Sequence, residues 1–191
     1  MNPLLIVAVS GSLRARSSNT ILLEAARTLA TPRMRIEFFT RLGDLPHFNP
    51  DLDGPELPAP VVELRQMLAS ADGLLISSPE YAHGVPGVLK NGLDWLVSSI
   101  EVVAMPVLLL NTSPRATHAQ ESLAETLRTM SAEVVGGASF VVPLAGRSFD
   151  VPGILADTEL AGRLQPALDA LEEASLHSRA AGRRLVPRIS S

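Results

Sequence analysis

The 191-residue chain contains no cysteine. Disulfides, thiolate metal sites, iron–sulfur clusters and thiol redox chemistry go with it. Any redox work would need a bound cofactor to carry the electrons. Aromatic residues are scarce as well: five Phe, with Tyr81 and Trp95 the sole Tyr and Trp. That argues against a module that reads nucleic acid by stacking bases on aromatic platforms. Sixteen Lys and Arg against twenty Asp and Glu leave a formal charge of −4, without the basic footprint of a nucleic-acid binder. Long apolar runs are missing too. Leu4–Val9 and Val107–Leu110 fall far short of the ~20 residues a spanning helix needs. No basic segment precedes the N-terminal run, and Arg14 and Arg16 follow it, opposite in polarity to a secretory signal. A soluble cytoplasmic protein with neither membrane nor nucleic-acid partner is expected.

What is present is ample for a core: 46% of residues are apolar and 19% charged. The apolar pattern alternates in type along the chain. Leu4-Leu5-Ile6-Val7-Ala8-Val9 is continuous, as in a strand buried on both faces. Leu22, Ala25, Ala26 and Leu29 then recur at helical spacing, with Ser17 and Ser18 available as caps. Residues 35–39 read as a half-polar strand near an edge, followed by a proline-rich loop over 45–60. Val61, Leu64 and Leu68 form a short helical stripe. Gly73–Ser77 is a third strand, and a helix starting near Pro86 carries Leu89, Leu93 and Leu96. Pro106–Leu110 is a fourth strand. Leu123, Leu127 and Met130 mark a helix, Val134–Val142 a fifth strand interrupted by Gly136-Gly137, and Leu160, Leu164, Leu168 and Leu171 a last helix. Strands alternating with helices predict one doubly wound, three-layer α/β domain over 1–182, with five parallel strands in the flavodoxin-like order 2-1-3-4-5. Residues 183–191 lack an apolar period and are expected to form a loose tail.

Ligands of open α/β sheets bind at the carboxyl ends of the strands. The first such end reads Ser10-Gly11-Ser12-Leu13-Arg14-Ala15-Arg16-Ser17-Ser18-Asn19-Thr20. It leaves a buried strand, turns on glycine and enters a helix, so backbone N–H groups and the positive helix end suit an anion. Hydroxyls and the Asn19 amide add donors, and Arg14 or Arg16 adds countercharge for a phosphate. No G-x-G-x-x-G or G-x-x-x-x-G-K-[ST] occurs, which disfavours a dinucleotide pyrophosphate site and a P-loop. On the residues alone, a single terminal phosphate and a plain capped helix both stand. Another strand end reads Ser78-Pro79-Glu80-Tyr81-Ala82-His83-Gly84-Val85-Pro86-Gly87. Pro86 suits a first helical turn, and Gly84 and Gly87 let a planar ligand approach the backbone. Glu80 suits either a general acid or a carboxylate capping the next helix. The four histidines, His47, His83, His118 and His177, show no metal spacing.

Taken together, Gly11-Ser12-Leu13-Arg14…Ser17…Asn19 and Pro79-Glu80-Tyr81…Pro86-Gly87…Leu89-Lys90-Asn91…Leu93-Asp94-Trp95 resemble the NADPH-dependent FMN reductase family, which includes chromate, quinone and azo-dye reductases. The resemblance implies FMN as cofactor and NADPH or NADH as co-substrate. Ser12, Arg14, Ser17 and Asn19 would hold the FMN phosphate, with Ser18 and Thr20 beside them. Pro79, Glu80, Tyr81, Ala82, His83 and Gly84 would line the isoalloxazine edge. The family commonly carries Asn where this chain has Ala82, so a ring contact there would come from backbone or from His83. A third loop, glycine-rich in many relatives, is here Asn111–Thr117 and would offer Thr112 and Ser113. Backbone N–H groups of the 80–84 loop would stabilise negative charge on reduced flavin, with no catalytic acid–base residue and no metal. Arg16 and Arg115 are candidates for the NADPH 2′-phosphate, or plain solvated arginines. Trp95, beside Leu89 and Leu93, reads as a buried side chain, and the resemblance also implies a homodimer or homotetramer with Trp95 at a subunit interface.

The expected activity is therefore hydride transfer from nicotinamide to flavin and on to a small acceptor, with ping-pong kinetics. The acceptor classes are a quinone, an azo compound, chromate or free flavin. A one-electron carrier like flavodoxin is the alternative, although such carriers are usually more acidic and flank the ring with aromatics. A phosphate-ligand binder without flavin is a third reading.

Overall fold

A computed structural model describes residues 2–137, 139–144 and 149–182. The predicted strand–helix alternation is realised. β1 (Leu4–Ser10), β2 (Met34–Phe38), β3 (Gly73–Ser77) and β4 (Pro106–Asn111) are parallel and ordered β2-β1-β3-β4. β5 (Glu133–Val134) and β6 (Phe140–Val141) both pair in parallel with β4 on its far side. Helices α1 (Ser18–Leu29), α2 (Ala59–Ser70), α3 (Gly87–Asp94), α4 (His118–Thr129), α5 (Val151–Ala156) and α6 (Thr158–Ala180) cover both faces. The sheet thus has the order 2-1-3-4-5, with its fifth position shared by two short strands.

Side-chain alternation along the buried strands divides the core in two. Val7, Val9, Leu74, Ile76, Val107 and Leu109 face Leu64, Leu68, Leu89, Leu93, Leu123 and Leu127 of α2, α3 and α4. Ile6, Ala8, Leu75, Leu108 and Leu110 face Leu22, Leu23, Leu164, Leu168 and Leu171 of α1 and α6. The two ends of the domain are bound by one buried ion pair. Asp72 accepts from the Leu5 N–H at 2.8 Å and from Arg179 Nε at 2.8 Å, while Arg179 also reaches the carbonyls of Asn2 and Pro3.

Several expectations need correcting. The single strand over Val134–Val142 is two strands, because Gly136 and Gly137 both adopt φ of +70°, which no extended strand contains. At Gly136 a Cβ would come within 2.8 Å of the Phe140 ring, so the break between the two strands takes this form only with glycine. Leu96 lies past the end of α3, and Pro86 precedes its first residue. Helix α5 was not anticipated. It holds only six residues, including Pro152 and Gly153, and its start is fixed by Asp150, which accepts from the Gly153 N–H at 2.8 Å. Trp95 is fully buried inside this one chain, not on a surface open to a second subunit. Its Nε1 donates to the Pro46 carbonyl at 2.8 Å, and Phe48 packs edge-on at 5.1 Å. The scarce indole thus anchors the proline-rich loop. Residues 183–191, expected as a loose tail, lie outside the described residues.

Candidate active site

The carboxyl ends of β1, β3 and β4 point the same way, and the three loops that follow them enclose a cleft of about 320 Å³. Its lining is Ser12, Arg14, Ser17, Ser18, Asn19, Pro79, Glu80, Tyr81, Asn111, Thr112, Ser113, Arg115 and Ala116. Ten of the fourteen residues expected at a cofactor site are therefore brought together from three separate stretches of chain. Thr20, Ala82, His83 and Gly84 stand outside that lining.

In the loop after β1, the Gly11 N–H bonds the Ser77 carbonyl at 2.9 Å, which ties the turn to β3. A Cβ at position 11 would meet Ser78 Oγ at 2.5 Å. Ser17 is the cap of α1, accepting from the Asn19 N–H at 3.2 Å. Asn19 is buried and accepts from Ser77 Oγ at 2.9 Å through Oδ1, while Thr20 donates to Ser10 Oγ. Thr20 thus braces the loop from behind. No acidic residue occupies the first turn of α1, so its positive end is open to an anion.

The loop after β3 closes as a two-residue hairpin. Tyr81 N–H donates to the Gly84 carbonyl at 3.1 Å and Gly84 N–H to the Tyr81 carbonyl at 2.9 Å. Ala82 and His83 between them have φ of +49° and +61°, the signature of a type I′ turn. Two of the five backbone donors expected to serve a ligand are consumed in this hairpin, leaving those of Glu80, Ala82 and His83.

Glu80 corrects another expectation. Its carboxylate caps α4, not the helix that follows it in sequence: Oε2 accepts from the Ala119 N–H at 2.8 Å. Thr117, at the cap position of α4, provides no side-chain bond of its own. Oε1 lies 3.0 Å from His83 Nδ1, and the His83 ring packs edge-on against His118 at 4.6 Å. The Ala119 N–H foremost, and His83 next, hold the Glu80 carboxyl below its ordinary range. Glu80 is therefore ionised at neutral pH and unsuited to act as a general acid. His83 turns its ring to Glu80 and His118, with 77% of its side chain in solvent.

The loop after β4 brings in Asn111, which stands outside the expected set of site residues. Asn111 is buried, accepts from the Ser113 N–H at 2.9 Å and donates to the Ala116 carbonyl at 2.9 Å. It staples its loop into an Asx-type turn without glycine. An Asn ending an otherwise apolar strand was the available signal. Arg14 and Arg115 line the cleft with no carboxylate partner among the described residues, whereas Arg16 is exposed and off the lining.

Residues 4–146 match the sequence model of NADPH-dependent FMN reductases, three quarters of the chain. The chain belongs to that family. An NAD(P)H-dependent FMN reductase of Pseudomonas aeruginosa is 31% identical over 172 residues, 87% of this chain and 92% of that protein. A quinone reductase of Escherichia coli is 34% identical over 111 residues, 56% of this chain and 59% of that protein. Among solved structures, the flavoenzyme NAD(P)H:(acceptor) oxidoreductase FerB from Paracoccus denitrificans superposes with a TM-score of 0.75 at 26% identity, covering 91% of this chain and 98% of that one. This family member is thus an oxidoreductase that uses FMN as cofactor and NAD(P)H as electron donor. The residues present fit FMN. An acid-free helix start, four hydroxyl or amide side chains and the unpaired Arg14 suit a phosphate, and the cleft volume lies within the range of cofactor sites.

Proposed function

We propose that the protein is an NAD(P)H-dependent reductase of small-molecule acceptors, quinones foremost, in which nicotinamide and acceptor use one cleft in turn. The convergence of three strand-end loops on a cleft with an open helix start and two guanidiniums that have no carboxylate partner among the described residues carries this reading. Ser12, Arg14, Ser17, Ser18 and Asn19 bind the FMN phosphate, and Thr20 braces them. Pro79, Glu80, Tyr81 and the hairpin residues Ala82, His83 and Gly84 form one rim, with Thr112 and Ser113 opposite. When bound, FMN supplies hydride acceptance and electron donation, while the protein contributes position and fixed dipoles. Tyr81 is 53% exposed and is the single aromatic residue of the lining. Among the described residues no aromatic clamp shuts this cleft, which suits varied acceptors: quinones, azo compounds, chromate and free flavin.

Arg115 is better placed than Arg16 to meet the 2′-phosphate of NADPH, because it lines the cleft. The E. coli relative's name, quinone reductase, supports the choice of acceptor. Exposed Val97, Ile100 and Val103 on the segment after α3 support a homodimer or homotetramer. No helix among the described residues is long and apolar enough to cross a membrane. We place the protein in the cytoplasm, where NAD(P)H is available.

Anaerobic titration of the FMN-loaded protein with NADPH and NADH, followed by benzoquinone, tests the reading. Direct bleaching at 450 nm and recovery on adding quinone are expected, with parallel lines in double-reciprocal plots. A flavin that only a separate reductase can reduce would point instead to an electron carrier. Substituting Arg115→Ala should lower the NADPH-to-NADH preference severalfold.

A further inference from the structure

The loop after β3 is tied to α4 at two points. Glu80 Oε2 takes the Ala119 N–H at 2.8 Å, and Gln120 Nε2 donates to the Ser78 carbonyl at 3.0 Å. Between those ties and Gly84, the chain holds two consecutive non-glycine residues in the left-handed region. Such a turn persists only where its surroundings over-determine it. The Tyr81–Gly84 bonds close the hairpin on itself but do not orient it toward the cleft. Orientation comes from Glu80, which lies in the cleft lining, binds α4 through one oxygen and meets His83 inside the turn through the other.

We propose that Glu80 is a positioning residue: it locks the strained Tyr81–Gly84 hairpin onto the first turn of α4 and so sets where that rim meets FMN. The inference rests on the assignment of the cleft to FMN. Glu80 donates no proton and need not touch the flavin. It acts through the placement of Tyr81 and of the free Ala82 and His83 amides. Those amides suit a ligand edge that gains negative charge on reduction, so the position of the hairpin bears more on the reduced cofactor than on the oxidised one.

The test compares Glu80→Ala and Glu80→Gln with Asp157→Ala. Asp157 is the cap of α6 and accepts from the Glu159 and Leu160 N–H groups, so its loss removes a bond of the same kind away from the cleft. Titrating apoprotein into FMN reports affinity through fluorescence quenching, and spectroelectrochemistry reports the midpoint potential. We expect Glu80→Ala to weaken oxidised FMN about tenfold. Reduced FMN should lose a further tenfold, lowering the two-electron potential by about 30 mV. Glu80→Gln keeps an acceptor for Ala119 and should recover part of both losses, which also carries the test if the alanine variant fails to fold. Asp157→Ala should stay within twofold of wild type in affinity and keep its potential. Equal effects in the Glu80→Ala and Asp157→Ala proteins, or an unchanged potential in both Glu80 variants, would overturn the proposal. Wild-type protein that binds no FMN would instead overturn the cleft assignment.

Discussion

The Ala82–His83 turn stores strain that a single substitution should release. An L-residue in the left-handed region costs roughly 1–2 kcal/mol, and asparagine avoids much of that cost because it tolerates the conformation. Ala82 has φ of +49° and is exposed, with no side-chain packing to lose on replacement. Ala82→Asn should therefore stabilise the fold by about 1 kcal/mol, raising Tm by about 2–4 °C in a domain of this size. Ala82→Gly relieves the same strain but enlarges the unfolded ensemble, and the net gain falls to about 0.5 kcal/mol. Ala82→Val adds a β-branched side chain where the backbone least accepts one and should cost about 1–2 kcal/mol. Calorimetry of the apoprotein and of FMN-saturated protein should give the order Asn, Gly, Ala, Val in both. A valine variant as stable as wild type, or losses from both Asn and Gly, would show that the turn carries no such strain.

Other consequences are simpler to state. Arg14→Gln should weaken FMN by roughly fivefold but leave riboflavin, which lacks the phosphate, unaffected in equilibrium dialysis. Trp95→Phe removes the Nε1 bond to Pro46 from a fully buried site and should lower stability by about 1–3 kcal/mol in urea unfolding followed by circular dichroism. Arg179→Met leaves the Asp72 carboxylate buried beside β1 and should cost about 3–5 kcal/mol, read from the urea midpoint by Trp95 fluorescence. The Glu80 carboxyl is held below its ordinary value of 4.5, chiefly by the Ala119 N–H and then by His83. Its stabilisation is therefore complete above that value and disappears as the pH falls through the depressed one. Tm measured from pH 7 down to pH 3 should show the gap between wild type and Glu80→Gln closing below pH 4.5.

The parts of the molecule legible in the sequence share one property: local periodicity decides them. β1, β3 and β4 are buried on both faces and read as unbroken apolar runs, so their place inside a parallel, helix-covered sheet is legible from the chain. What escaped depends on partners distant in sequence. Glu80 and Ala119 are 39 positions apart, and nothing near Glu80 shows that its carboxylate turns past α3 to reach α4. Trp95 pairs with Pro46 across 49 positions, so a residue suited to an interface is a core anchor. Helix α5 escaped for the opposite reason, being too short and too rich in Pro and Gly to show a period. The Gly136-Gly137 pair was visible as an interruption, yet its consequence, two strands on one neighbour, depended on where Phe140 packs.

The charge layout of the cleft follows from the same long-range contact. Glu80 is the one acidic residue in the described lining, against two guanidiniums, in a chain whose overall charge is −4. A free carboxylate there would repel a phosphate dianion and attract Arg14 or Arg115. With one oxygen on the α4 N-terminus and the other on His83, its charge is met by the helix dipole and each oxygen has a partner. Arg14 and Arg115 have no carboxylate partner among the described residues. The bond that fixes the hairpin therefore also keeps the cleft positive, so Glu80→Ala should loosen the rim without adding attraction for FMN. Any substitution that frees the carboxylate without removing it, such as a proline at Ala119 that deletes the N–H donor, should weaken FMN more than Glu80→Ala does, and the difference should shrink as salt rises.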